Sequence, residues 1–116
     1  MEFSIEFYES AAGRCPVREF LDALQQSDLD DFAVVLAGLD KLKHRAYHRP
    51  PLSKAIGDGL FELRHVGKLN TRVFYFFRTG CRIVAVHGVR NKGQTISPQE
   101  RRTALERMLD WQERMT

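Results

Sequence analysis

Long apolar runs are missing from this 116-residue chain, and cysteine and acid are unevenly scarce. No stretch approaches the ~20 apolar residues that a membrane-spanning helix needs, so no membrane partner is expected. The two cysteines, Cys15 and Cys81, lie far apart and match no metal-ligand spacing. They are expected to be reduced thiols, because neither a disulfide framework nor a zinc site can be built from them. Residues 41–102 contain only three carboxylates, Asp58, Glu62 and Glu100, against 14 basic residues. That is too sparse for a two-metal phosphodiesterase centre. Met1 leads into Glu2, Phe3 and a strand-like run rather than a basic-then-apolar leader, so the expected location is the cytoplasm.

The net charge of +3 conceals an asymmetry. Residues 1–40 hold nine acidic and two basic residues, the reverse of the stretch that follows. A basic block of this size points to a polyanion, most simply nucleic acid. The plainer alternative is a solvated basic surface. The length and the 43% apolar content suit one domain, residues 1–116, with a modest core.

Along the chain, Phe3, Ile5 and Phe7 alternate with Glu2, Ser4, Glu6 and Tyr8, the period of a strand with one apolar face. Pro16 suits the first position of a helix whose apolar stripe is Val17, Phe20, Leu21 and Leu24. Ser27 is the expected N-cap of a second helix, with Asp28, Asp30 and Asp31 in its first turn and Phe32, Leu36, Leu39 and Leu42 on its buried face. Residues 43–58, broken by Pro50–Pro51, read as a long basic loop. Strands are expected at 59–66, 70–77 and 81–89, joined by turns at Gly67–Asn70 and Arg78–Gly80. Ser97-Pro98-Gln99-Glu100 then opens a last helix that buries Ala104, Leu105, Met108, Leu109 and Trp111. The order β-α-α-β-β-β-α gives an α+β fold with a mostly antiparallel sheet, the helical pair covering one face. The apolar 73–77 strand should be central.

The chemistry lies in the cations of the strands. If Phe61 and Leu63 face the helices, Glu62 and Arg64 face away together. Arg72 opens the next strand. His87 ends the last, before a Gly88–Gly93 turn carrying Arg90 and Lys92, and Lys54 lies in the basic loop. Converging cations hold phosphates well. Cleavage of RNA by the 2′-hydroxyl requires proton removal from that hydroxyl, stabilisation of the phosphorane charge and a proton for the leaving 5′-oxygen. Arg64 and Arg72 are the expected charge stabilisers, with Lys92 or His87 moving protons. Lys54, Arg90, Arg49 and Lys68 extend the surface toward RNA. No cofactor or metal is expected.

Each assignment has a duller counterpart. Arg64 can pair with Glu62 or a helix acid, and Arg72 likewise. His87, between apolar neighbours, fits a structural histidine as well as a catalytic one. Lys92 can be merely solvated, and Tyr75 is better read as core than as catalyst. His44 and His48 are four apart, useful for a metal only on a helix, and they sit in the proline-rich loop without acids.

The runs PLSKAIGDGLFELR, TRVFYFF and IVAVHGVRNKGQTISPQE, in this order and followed by a helix, resemble the RelE/ParE toxin superfamily of type II toxin–antitoxin systems, in its phage-derived, HigB-like branch. The resemblance implies an endoribonuclease that cuts mRNA, often on the ribosome. It also implies a cognate antitoxin, typically of helix-turn-helix type. By that likeness the site residues fall on Arg64, Arg72 and Lys92, with Arg90 beside them. Where members often carry a Lys–Lys pair, this chain has Arg90-Asn91-Lys92. ParE-type relatives inhibit DNA gyrase instead, and a non-catalytic toxin is the alternative.

Overall fold

The computed structural model describes residues 2–93 and 95–115; Gln94, within the sequence run IVAVHGVRNKGQTISPQE, lies outside the described residues with Met1 and Thr116. Strand β1 (Ser4–Phe7) is followed by helices α1 (Pro16–Ser27) and α2 (Leu29–Lys41) and a short 3-10 turn at Arg45–Tyr47. Strands β2 (Ser53–Gly57), β3 (Leu60–Val66), β4 (Asn70–Arg78) and β5 (Arg82–Asn91) precede the last helix, α3 (Pro98–Met115). The sheet order is β1-β5-β4-β3-β2, with β1 parallel to β5 and the other pairs antiparallel. The fold is therefore α+β, as the periodicities require, with one strand more than the sequence announces.

That extra strand comes from the segment read as loop. β2 is an edge strand whose Lys54, Ala55 and Gly57 are exposed, so it lacks the apolar alternation that marks a strand. Its turn into β3 does carry a signal. Asp58 and Gly59 have φ of 58° and 84°, the positive values that an Asp-Gly type I′ hairpin turn demands.

β4 is central and buried on both faces, which explains its unbroken apolar run. Val73 and Tyr75 join one core with Val17, Leu21 and Leu24 of α1 and Val35 and Leu39 of α2. Phe74 and Phe76 join a second core with Ala104, Met108 and Trp111 of α3. The sheet thus lies between the helical pair and the C-terminal helix. Leu109, expected inside, is 56% exposed.

α2 starts one residue later than expected. Ser27 closes α1, and the Asp28 carboxylate caps α2 by accepting from the Asp31 amide at 3.1 Å. Its buried stripe is Asp31, Val35, Gly38 and Leu39, while Leu36 is 47% exposed. Gly38 explains the rotation: a Cβ there would stand 3.1 Å from a Leu63 methyl, so the bare backbone is what lets the helix sit on β3. A closer approach occurs at Gly88 of β5, where any Cβ would collide with the Phe20 ring of α1. Gly88→Ala is expected to destabilise the fold by ~1–3 kcal/mol through overpacking. Urea denaturation checks this, and adding Phe20→Leu should recover part of the loss.

Candidate functional site

The register aligns two rows of side chains on the α3 side of the sheet. One row is Lys54, Glu62, Phe74 and His87, and the next is Arg64, Arg72 and Val89. α3 covers the sheet around Leu60, Phe74, Phe76, Val84 and Val86. Beyond it the chain after β5 folds back: Asn70 donates to the Gly93 carbonyl at 2.7 Å, and Ile96 packs against the same core.

Burial changes the role of Arg72. The residue is only 1% exposed and Glu62 only 3%. The Arg72 Nε stands 3.2 Å from a Glu62 carboxylate oxygen, and its Nη1 donates to Asn91 Oδ1 at 3.3 Å. Arg72 is thus a buried half of an ion pair, not an exposed phosphate ligand. The duller reading of Arg72, a pair with Glu62, is the one observed, and Arg90 is paired in the same way.

β5 continues to Asn91, so Arg90 is in a strand and not in a turn. Its side chain lies on the α1–α2 face, donating to Asp28 at 2.6 Å and Asp31 at 2.8 Å. The Asp28 carboxyl is held below its ordinary range by the Asp31 amide and then by Arg90. Lys68, exposed in the turn after β3, also adds a favourable field at Asp28. Arg90 is therefore turned away from the Arg64 row, and the acidic helical pair is partly the counter-charge of the basic sheet.

Lys54 and Arg64 do share a groove. They border a groove of about 430 Å³ with Pro50, Pro51, Ser53, His65 and Val66. Lys54 stands opposite Glu62 in the ladder, two residues from Arg64 on the same face, a diagonal separation of ~7–8 Å between backbones. Arg64 also borders a second groove, about 450 Å³, on the other side of the proline pair, with Arg49, Tyr47 and Lys41. Lys92 is exposed just past the end of β5, next to the Asn91 that receives Arg72.

His87 is placed elsewhere. It stacks on Phe74, with ring centroids 5.9 Å apart. Arg107 of α3 donates to its Nδ1 at 2.8 Å, which leaves Nε2 as the protonated nitrogen, donating to Glu100 at 3.2 Å. Both nitrogens are engaged in pinning β5 to α3, the structural reading. Burial first, and then the Arg107 charge, push its pKa down, against a smaller pull from Glu100. The unfolded chain, with an ordinary histidine pKa of ~6.5, therefore binds more protons than the folded one just below that pH. This contribution to stability is complete above ~6.5 and is lost as pH falls toward the lowered folded value. Urea midpoints measured from pH 7.5 down to 5 should decline, and less steeply in His87→Gln.

Sequence reasoning missed His65, which borders the Arg64 groove while its Nε2 stands 3.2 Å from Asp31 Oδ1. It also missed Tyr47 and Lys41. His65 follows the "ELR" run directly, but its proximity to Asp31, 34 residues away, exists only in the fold.

A mixed sheet between a helical pair and a C-terminal helix, with cations gathered beside β2 and β3, is an architecture compatible with the RelE-like class of toxin folds. A family model described as "Phage derived protein Gp49-like (DUF891)" matches residues 19–109, and the chain belongs to that family, a RelE-like toxin family. No curated protein matches the chain. No helix among the described residues is long and apolar enough to cross a membrane.

Proposed function

We propose that this chain is the toxin of a type II toxin–antitoxin pair, of the HigB-like branch, and that it cuts mRNA on the ribosome without a metal. The observation that carries the reading is the pairing of Lys54 and Arg64 along one groove beside His65, in a RelE-like toxin family. Arg64 supplies a planar fork for the non-bridging oxygens of the scissile phosphate, and Lys54 a point charge beside it. Lys92 adds positive charge from the end of β5. Arg72 supports the site from below through Glu62 and Asn91 and does not touch RNA.

The 2′-oxygen attacks phosphorus as its proton leaves, the bond from phosphorus to the 5′-oxygen breaks, and that oxygen takes a proton. The products are a 2′,3′-cyclic phosphate and a 5′-hydroxyl. Lys92 is the group left for the proton transfers, because His87 is bound to Arg107 and Glu100 and the His65 ring is turned, with Arg90, to Asp31 on the α1–α2 face. Arg49 extends the RNA path, whereas Arg90 and Lys68 sit beside Asp28.

The partner is a cognate antitoxin, expected to be of helix-turn-helix type, that covers the cationic groove with an acidic or apolar segment. Expression in a bacterial host tests the pair. The chain alone should arrest growth with mRNA cleaved, and co-expression with the adjacent small reading frame should relieve it. Harmless expression of the folded chain alone would count against the reading.

A further inference from the structure

The groove on the far side of the proline pair has a composition that phosphate binding alone does not require. Its lining includes Tyr47, Pro50, Pro51 and Leu52, which are flat or apolar, and three cations, Lys41, Arg49 and Arg64. Tyr47 is 41% exposed in a short 3-10 turn, and the Lys41 ammonium lies 5.7 Å from the centre of its ring. An exposed phenol beside two proline rings gives a basic cavity flat surface for a base, on the ring face that Lys41 does not cover. The volume, about 450 Å³, accommodates a single heterocycle with its sugar.

We infer that this groove is a nucleobase subsite, in which a base next to the scissile phosphate stacks on Tyr47 while Arg49 and Lys41 hold the flanking phosphate. The inference rests on the RNA-cleaving reading and deepens it. Arg64 borders both grooves, so a strand with its phosphate at Arg64 sends one neighbouring nucleotide past Pro50–Pro51 into the Tyr47 cavity. Stacking between a base and an aromatic ring tolerates any base, because every base has a π-face, and the basic lining supplies the sequence-independent part of affinity. An apolar peptide is a poorer occupant, because it would press Lys41 and Arg49 against apolar surface and take them out of water.

The test uses a short, non-cleavable 2′-O-methyl RNA in two forms, one intact with 2-aminopurine at the position next to the central phosphate, and one abasic there. The full chain should bind the intact RNA and quench the 2-aminopurine. Tyr47→Ala should weaken binding on the order of 10-fold and abolish quenching, and Tyr47→Phe should retain both. The abasic RNA should bind wild type and Tyr47→Ala equally. If Tyr47→Ala binds and quenches like wild type, the subsite is refuted while the phosphate site stands. If wild type binds RNA but never cleaves its 2′-hydroxyl counterpart on ribosomes, the enzymatic reading fails while the subsite stands. Absence of any RNA binding by wild type refutes both.

Discussion

Arg64→Ala is expected to reduce mRNA cleavage by ~100-fold or more, the usual consequence of removing one charge stabiliser from a phosphoryl or acyl transition state. The chain should remain folded, because Arg64 is half-buried at a groove edge and not sealed in a core. Arg64→Lys should restore part of the activity, since an ammonium keeps the charge but loses the bidentate fork. Lys68→Ala is the matched control. It removes a cation of the same basic half, but one beside Asp28 and away from the groove, and cleavage should change little. Single-turnover cleavage on programmed ribosomes, with urea midpoints for each variant, separates these outcomes. Wild-type cleavage by a folded Arg64→Ala variant would remove Arg64 from the phosphate.

Arg72→Ala should behave quite differently, with a loss of stability as its main effect. Deleting it strands the Glu62 carboxylate in a position 3% exposed, and breaking a buried pair on one side typically costs ~3–5 kcal/mol. A domain of this size has a total stability of only ~5–15 kcal/mol, so the variant should melt far below wild type. Replacing both partners, Arg72→Met with Glu62→Leu, should recover most of the loss, because two apolar side chains need no counter-charge. The sequence reading, with Arg72 as a phosphate ligand, expects Arg72→Ala to stay folded, and its burial leads to the opposite expectation. Loss of toxicity in Arg72→Ala alone therefore says nothing about chemistry. The thermal midpoints of the single and double variants decide the matter.

The contrast between these two arginines marks what a sequence can and cannot carry. Both sit at alternate positions on strands whose limits periodicity gave to within two residues: 59–66 against Leu60–Val66, and 70–77 against Asn70–Arg78. The central place of β4 followed from its apolar run, and the start of α3 from Ser97, whose hydroxyl accepts from the Glu100 amide at 3.2 Å. These are local signals. Whether Arg72 meets water depends on its partners across the sheet, Glu62 on β3 and Asn91 on β5. The removal of Arg90 from the basic surface depends on Asp28, 62 residues earlier. Such pairings leave no local period. β2 escaped because an edge strand needs only one partner and one covered face, although Asp58-Gly59 announced its turn. Leu36 was misplaced because Leu and Val recur so densely in α2 that two stripes fit, and Gly38 chose between them.

The proposed reaction at the Lys54–Arg64 groove is a metal-free, 2′-hydroxyl-driven RNA cleavage. Its most direct test is the chemistry of the new RNA ends, after purified chain is added to translating ribosomes with a defined mRNA. Cut mRNA is expected, with 2′,3′-cyclic phosphate on the upstream fragment and 5′-hydroxyl on the downstream one, and with both products reduced ~100-fold or more for Arg64→Ala. Growth arrest with intact mRNA and stalled gyrase would contradict it, as would fragments ending in 3′-hydroxyl and 5′-phosphate.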